Sequence, residues 1–289
     1  MKKVISLILC VLMLGSCMAF ADAIEGSRTV IGADLDADDI AYVYKEFGIS
    51  RGDVKELTVT NAEEREYLKG LVDESLIGTK SISCVYIEAL DEGKGLDVQV
   101  KNITWCTPDM YMNAMVTAGI TDANVRIVAP FDVSGTAALT GIYKAYEDIT
   151  GKKLDEDAKL VGTQELTVTA ELAEEIGSTD SAAIVNQLKL ILDETKDMTD
   201  DELREEIKKI AEKYDVTLTD SQIDSLISLC RSMEKLDTAA LKEKVEQVQQ
   251  YLKDIVSKQG EIKQFLSNVA DTVTEFVNKV VSFIRGIFG

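Results

Sequence analysis

Strand and helix patterns alternate along the first half of the chain, and this alternation limits the fold more than any other feature. Residues 55–60 place Leu57 and Val59 on one face, an apolar–polar alternation typical of a half-buried strand. Further strand patterns cover residues 29–33, 81–89, 96–103 and 125–129. Strands interleaved with helices predict an α/β (α+β) domain built on a mixed sheet, which we place at residues 22–150.

Two of the predicted strands, 81–89 and 96–103, are expected to pair as a hairpin. Residues 91–95 between them read Asp-Glu-Gly-Lys-Gly, which is a turn composition. In the second strand, apolar and polar residues alternate from Leu96 to Val100, and this pattern predicts one solvent-facing side.

Helix start signals follow some of these strands. Asn61 and Glu64 predict a capping box for a short helix over residues 62–69. Thr107–Pro108 combines a capping residue with a proline at the first helical position, and it predicts a helix that ends at Gly119.

Strand patterns fade beyond residue 150, and the rest of the chain is predicted to be all-helical. Two capping-box patterns, at residues 199–202 and 219–222, support a helical region at 151–235. Near-heptad spacing of apolar residues then predicts a long amphipathic helical tail at 236–289.

Four aspartates stand close together within residues 32–48, and alternating aspartates are how calcium loops begin. If Asp34 were the first ligand of an EF-hand loop, the sixth position would be glycine and the twelfth glutamate, but they are Asp39 and Lys45. The stretch is better explained as a helix that Asp36 caps, with acids in its first turn. Asp34 has no structural role in this interpretation and is the one candidate ligand for a cation. No other metal site and no cofactor is predicted.

The N-terminus has the features of an export signal. Lys2–Lys3 precede an apolar run over residues 4–14, and the small residues that follow lead to Ala-Phe-Ala at 19–21. This order predicts a signal peptide at residues 1–21 that is cleaved before Asp22. An alternative is a lipoprotein signal, in which Cys17 would be lipidated and become the mature N-terminus.

Composition excludes several classes of protein. The net charge is −20, the opposite of what a nucleic-acid binder needs to neutralise phosphates, so no nucleic-acid partner is expected. The sequence contains no histidine, which excludes Ser-His-Asp and Cys-His catalysis and histidine-ligated zinc enzymes. A carboxylate-dependent hydrolase acting on an envelope component stays open as an enzymatic alternative.

Three cysteines lie outside the predicted signal, at Cys84, Cys106 and Cys230. An odd number in an exported chain argues against a disulfide framework and favours small buried apolar residues. A Cys84–Cys106 bridge is the alternative, because both residues flank the predicted hairpin.

Several stretches resemble one known family. They are "TVIGADL" (29–35), "LTVTNAEEREYL" (57–68), "IGTKSIS" (77–83) and, longest, residues 110–147. These stretches are similar to the YpuA-type family of secreted bacterial proteins, whose function is unknown. The resemblance extends over roughly residues 25–235. The resemblance implies export in Gram-positive-type bacteria. It also implies a single architecture that is rich in strands in its N-terminal part and helical in its C-terminal part. It implies no catalytic or binding residues.

A candidate anion or peptide site lies at Ser134, Gly135 and Thr136. A strand, a glycine-containing turn and a helix N-terminus can together present free N–H groups to an anion. The segment is not a P-loop, because no Lys-Ser/Thr follows Gly141. The structural alternative is that Ser134 caps a core helix running to about Ile149 while Gly135 relieves a tight turn.

The C-terminal segment, residues 276–289, gives the sharpest functional hypothesis. A cationic amphipathic helix with aromatic residues can lie in a membrane interface, and this segment carries two cations and no acids. The candidate contact residues are Phe276, Lys279, Val280, Phe283, Ile284, Arg285, Ile287 and Phe288. The alternatives are packing on the preceding helices and self-association through the C-terminal helices.

Together these features predict an exported, non-catalytic cell-envelope or extracellular protein that acts by binding. Its partner would be a membrane surface or an envelope protein, contacted through the C-terminal amphipathic helix. The alternatives are the carboxylate-dependent hydrolase and a self-associating structural protein.

Overall fold

The computed structural model describes residues 26–71 and 77–250. One mixed sheet with helices between its strands is followed by helices alone, which confirms the predicted fold class. The strands are β1 (Ser27–Gly32), β2 (Lys55–Val59), β3 (Cys84–Ala89), β4 (Leu96–Ile103) and β5 (Ala123–Val133). The helices are α1 (Ala37–Phe47), α2 (Asn61–Leu68), α3 (Pro108–Ala118), α4 (Ala138–Thr150), α5 (Glu156–Ile176), α6 (Ser178–Leu190), α7 (Leu192–Thr195), α8 (Asp200–Glu212) and α9 (Asp220–Met233). Residues 238–250 are helical as well.

The strand order β2-β1-β3-β5-β4 shows that the predicted hairpin is wrong, because β5 lies between β3 and β4. β1 is parallel to β2 and β4 to β5, whereas β3 is antiparallel to both β1 and β5. Asp122, just before β5, explains the difference. Its backbone carbonyl accepts the N–H of Leu90 at 3.1 Å, and its carboxylate accepts the N–H of Gly95 at 2.8 Å. The intervening loop therefore spans the start of β5 instead of closing a turn.

α1 begins as predicted. Oδ1 of Asp36 accepts the backbone N–H groups of Asp38 and Asp39, each at 2.9 Å, and the two acids lie in the first turn where the helix dipole favours them. The buried face of α1 packs on β1, β3 and β5 through Val43, Tyr44 and Phe47.

α2 is capped one residue earlier than predicted. The capping box pairs Thr60 with Glu63, whose carboxylate accepts the Thr60 N–H at 2.8 Å, so the predicted Asn61–Glu64 pair is wrong. Thr60 and Asn61 are both good capping residues and each stands three residues before a glutamate, so the pattern alone does not fix the register. The shift releases Glu64 from capping and turns it to the buried face, four residues before Leu68.

The three cysteines are buried free thiols, and the Cys84–Cys106 bridge is not formed. Cys84 begins β3, Cys106 precedes α3 and Cys230 lies in α9. Burial raises the pKa of Cys84 and of Cys106 to about 12. Such thiols stay protonated and unreactive, which fits the interpretation that they are small apolar core residues.

The helical half packs directly on the sheet half, mainly where α5 lies along α3. A Cβ atom at Gly162 of α5 would lie 2.7 Å from the carbonyl oxygen of Ala114 and 2.7 Å from the hydroxyl of Tyr143. The two helices can therefore approach this closely only with glycine at that position.

α8 and α9 form a helical hairpin, and both predicted capping boxes are confirmed. The Thr199 hydroxyl accepts the N–H of Glu202, and the Thr219 hydroxyl accepts the N–H of Gln222. The described residues up to Glu246 form one unit, and residues 247–250 belong to a second. None of the described helices is long and apolar enough to cross a membrane.

A fully buried ion pair connects two helices of the helical half, α5 and α6. Nζ of Lys189 in α6 lies 2.6 Å from Oε1 of Glu165 in α5, and both side chains have no solvent exposure. From α3, the Thr117 hydroxyl donates to Glu165 at 2.5 Å, and the Asn113 carbonyl accepts from Lys189 at 2.9 Å. Burial lowers the pKa of Lys189, and the charge of Glu165 opposes that shift. Three helices thus depend on one charged contact that water does not reach.

We expect Lys189→Met to destabilise the protein by about 3–5 kcal/mol, because it leaves the Glu165 carboxylate buried without a counter-charge. The double variant Glu165→Leu/Lys189→Met removes both charges and should cost less than the single change. Urea unfolding followed by circular dichroism measures both. A double variant less stable than Lys189→Met, or a single variant within about 0.5 kcal/mol of the parent, contradicts the role given to the pair.

Candidate functional site

The carboxyl ends of the parallel strands β1 and β2 meet at one edge of the sheet. β1 leads into Asp34 and the N-terminus of α1, and β2 leads into Thr60 and the N-terminus of α2. In open sheets with parallel strands, ligands bind most often outside such carboxyl ends. The side chains gathered here are therefore the first candidates for function.

Glu64, Ser81 and Asp34 form one cluster at this edge. The Ser81 hydroxyl donates to Oε1 of Glu64, and the Ser81 backbone N–H donates to Oδ2 of Asp34 at 2.7 Å. Nδ2 of Asn61 donates to Oε2 of Glu64 at 3.2 Å. Glu64 and Ser81 have no solvent exposure, whereas Asp34 is exposed. Ser81 thus bridges a buried carboxyl group and an exposed one.

The buried carboxyl group carries a strongly shifted pKa. The pKa of Glu64 is raised to about 7. Burial is the main cause and the charges of Asp34 and Glu63 add to it, while hydrogen bonds from Ser81 and Asn61 oppose the shift. A carboxyl group with this pKa exists in both protonation states near neutral pH. It can accept or release a proton under conditions in which a carboxyl group with the ordinary pKa of 4.5 stays ionised.

The segment that carries Ser81 is fixed from two sides. Arg65 of α2 donates through Nη2 to the carbonyl of Gly78 at 2.7 Å and through Nε to Asn61 at 2.9 Å. On the other side, a Cβ atom at Gly32 would collide with the Ser81 carbonyl group, so glycine at the end of β1 permits this contact.

Asp34, the predicted cation ligand, has the structural role that the sequence did not show. Besides accepting the Ser81 N–H, it donates its own backbone N–H to the Ser81 carbonyl at 3.3 Å. Within residues 26–71 and 77–250, no group of three or more Cys, Asp or Glu side chains is placed to hold a metal ion. Cation binding at Asp34 stays a prediction.

The predicted site at Ser134, Gly135 and Thr136 lies between β5 and α4, but Ser134 does not cap the helix. α4 begins at Ala138, because β5 continues to Val133 and the Ser134 carbonyl then accepts the N–H of Cys106 at 3.1 Å. Gly135 has a φ of 94°, a conformation that favours glycine, and its carbonyl accepts the Tyr111 hydroxyl at 2.5 Å. Thr136 is buried. Anion or peptide binding at this turn stays a prediction.

Two grooves in the helical half were not anticipated from the sequence. One, of about 510 Å³, brings three lysines and three aspartates together between α3, α5 and the helix that follows α9. The other, of about 350 Å³, lies between α2, α5 and α9 and contains Leu160, a large apolar side chain that is 42% exposed. Tyr67, Leu71, Val161 and Leu236 also line this second groove. The candidate membrane-contact residues, from Phe276 to Phe288, lie outside the described residues.

Sequence reasoning also missed Glu64 and Ser81 as a pair. The i, i+4 spacing of Glu64 and Leu68 places both side chains on one face of α2, and this spacing was the available signal. Because Glu64 was assigned to the capping box, its position on the buried face was overlooked. Ser81 offered no signal, because its partner comes from a segment 17 residues away.

We expect Glu64→Gln to stabilise the protein at about pH 8 and to change its stability little at about pH 4.5. The folded-state pKa of about 7 lies above the ordinary value of 4.5, so Glu64 stabilises the fold when protonated. That contribution is present in full below pH 4.5 and is lost as the pH rises through 7. The gain at the higher pH should be about 1–3 kcal/mol.

Thermal unfolding at several pH values measures this gain. The matched control is Glu66→Gln, which removes an exposed carboxyl group from the same helix and changes the net charge by the same amount. Equal effects of the two substitutions at every pH would show that the Glu64 carboxyl group is not specially placed.

Comparison with known proteins agrees with the resemblance given by the sequence. The model of the family "Protein of unknown function (DUF1002)" matches residues 31–255. The "Uncharacterized protein YpuA" of Bacillus subtilis (strain 168) is 36% identical over 275 residues, which cover 93% of each chain. No solved structure matches the chain. Three of the stretches that carry the resemblance, 29–35, 57–68 and 77–83, meet at the Glu64–Ser81–Asp34 cluster. The chain belongs to the DUF1002 family of proteins of unknown function.

Proposed function

We propose that this protein is exported and acts in the cell envelope or outside the cell by binding rather than by catalysis. Two lysines, an apolar run and an Ala-Phe-Ala site at the N-terminus support export. The proposed contact is with a membrane surface or an envelope protein, and the C-terminal amphipathic segment makes it.

The observation that carries this proposal is the charge and spacing of residues 276–289. Lys279 and Arg285 are the only charged side chains there, so the segment is positive in a chain whose net charge is −20. Apolar residues recur at helical spacing from Phe276 to Phe288. A helix of this kind buries its apolar face in the headgroup region while its cations meet anionic lipids.

The described part offers a second surface suited to binding. The groove between α2, α5 and α9 is lined by apolar side chains, among them the exposed Leu160, and by charged residues. An exposed apolar side chain in a groove is typical of a contact with a partner, because burying it there gains the free energy of transfer from water.

A carboxylate-dependent hydrolase is the second candidate, and one observation favours it. The raised pKa of Glu64 beside Asp34 is suited to proton transfer at neutral pH. However, Glu64 has no solvent exposure and its two oxygens accept hydrogen bonds from Ser81 and Asn61. A substrate does not reach this carboxyl group in the conformation described, so binding is the better supported function.

Export is tested by the mass of the protein recovered from the culture medium or envelope of a producing Gram-positive host. We expect a chain that begins at Asp22 and that is lost when Ala19 and Ala21 are both changed to arginine, since the signal peptidase requires small residues there. Recovery of a lipid-modified chain that begins at Cys17 would instead show that the protein is exported as a lipoprotein. Full-length protein retained in the cytoplasm would overturn export.

Membrane contact is tested by co-sedimentation of the mature protein with vesicles that contain anionic lipid. Deleting residues 270–289 should abolish binding, and Lys279→Gln/Arg285→Gln should weaken it, because both remove attraction to the headgroups. Lys208→Gln/Lys209→Gln on α8 is the matched control, since it removes the same charge from a surface outside the tail. Vesicle binding that survives the deletion, or none by the intact protein, would exclude a membrane contact through the tail.

A further inference from the structure

Residues 77–83 lie across the carboxyl end of β1, next to the start of α2. We propose that this segment is a cover over the carboxyl ends of β1 and β2, and that it opens when the buried Glu64 carboxyl group ionises. The inference is independent of the proposed membrane contact, which involves other residues.

The cover rests on the sheet through close backbone contact. The Ser81 carbonyl group lies so near Gly32 that no side chain would fit there, and Ser81 exchanges two hydrogen bonds with Asp34. Ile77, Ser81 and Ser83 are buried, although residues 78–83 belong to neither a helix nor a strand. A segment without ladder hydrogen bonds can separate from its neighbours without disrupting the sheet.

Burial favours the neutral form of Glu64 in the closed arrangement, and the charges around it act in the same direction. Asp34, from the loop after β1, and Glu63, from α2 itself, are both acidic and disfavour ionisation of Glu64. Two cations, one on α4 and one on α2, contact neighbours of Glu64. Lys144 of α4 donates to Glu63 at 2.5 Å, and Arg65 donates to Asn61 and to Gly78. Among the described residues no cation forms an ion pair with Glu64, so the closed cover encloses a carboxyl group that is stable when neutral and lacks a counter-charge when ionised.

Ionised Glu64 can regain water only if something around it moves. α2 is fixed by its capping box at the N-terminus and by the burial of Leu68, so the helix holds Glu64 in place. On the side of Glu64 that faces residues 77–83, the Ser81 hydroxyl covers Oε1. Displacement of residues 77–83 is thus the smallest movement that hydrates the charge, since burying an unpaired carboxylate costs more than the hydrogen bonds that hold the segment.

Opening would uncover a place where sheets of this kind bind ligands. Beneath the cover lie the ends of two parallel strands and the N-termini of α1 and α2. The device therefore couples the pH of the surroundings to access at the Glu64–Ser81–Asp34 cluster. The closed form would dominate in acid and the open form would gain population as the pH rises.

Hydrogen exchange followed by mass spectrometry tests the cover in the mature protein. After correction for the intrinsic effect of pH on exchange, the opening equilibrium of residues 77–83 should rise about 30-fold between about pH 5.5 and about pH 8. This factor follows from a closed-state pKa of about 7 and an open-state value of 4.5. Glu64→Gln, which stays neutral, should remove the rise, whereas Glu66→Gln should retain it.

Residues 123–128 of β5, which pair with β3 on one side and with β4 on the other, are the internal reference because they exchange only on extensive unfolding. Residues 77–83 should exchange faster than this reference at about pH 8. Exchange of the segment no faster than β5, no change with pH in the parent protein, or an undiminished change in Glu64→Gln would each overturn the proposal.

Discussion

The packing of the helical half on the sheet depends on an ion pair that has no access to water. Lys189 and Glu165 are enclosed among α3, α5 and α6, and each is hydrogen-bonded to α3 as well as to the other. An apolar contact would tolerate rotation of the helices, whereas this ion pair is favourable only when three helices present donors and acceptors at fixed positions. Gly162 allows the same helices to approach closely, so charge and shape fix one arrangement.

α3 packs on β4 as well as on α5 and α6, so it ties this side of the sheet to the helical half. In the chain, α3 follows β4 and is followed by β5 and α4. The helix therefore connects strands of the sheet to the helices that pack on it. β1 lies near the other end of this sheet, where Gly32 receives Ser81 and Glu64 closes the contact from α2. Glu64 is held on a helix, whereas Asp34 and Ser81 come from segments outside the helices and strands, the loop after β1 and residues 77–83.

The sequence predicted local structure well wherever neighbouring residues determine it. The cap at Asp36 and the helix starts at Thr199 and Thr219 depend on side chains within four residues of the helix end. The hairpin prediction failed because strand pairing is decided at a distance. Asp122, far along the chain, holds both ends of the loop that looked like a turn. The Glu64–Ser81 contact could not be predicted for the same reason, since the spacing of Glu64 and Leu68 indicates only a shared helix face and nothing in the sequence points to Ser81.

Glu64 also differs from the many other acids in how it responds to salt. In a chain with a net charge of −20, repulsion among exposed carboxylates also makes stability depend on pH. That repulsion acts through solvent and weakens as the Debye length falls, from about 10 Å at 0.1 M salt to about 3 Å at 1 M. Glu64 is enclosed together with its hydrogen-bond partners, and burial is the main cause of its shifted pKa. Added salt should therefore remove most of the general dependence on pH and leave that of Glu64, so a cover that still responds to pH at high salt responds to this one carboxyl group.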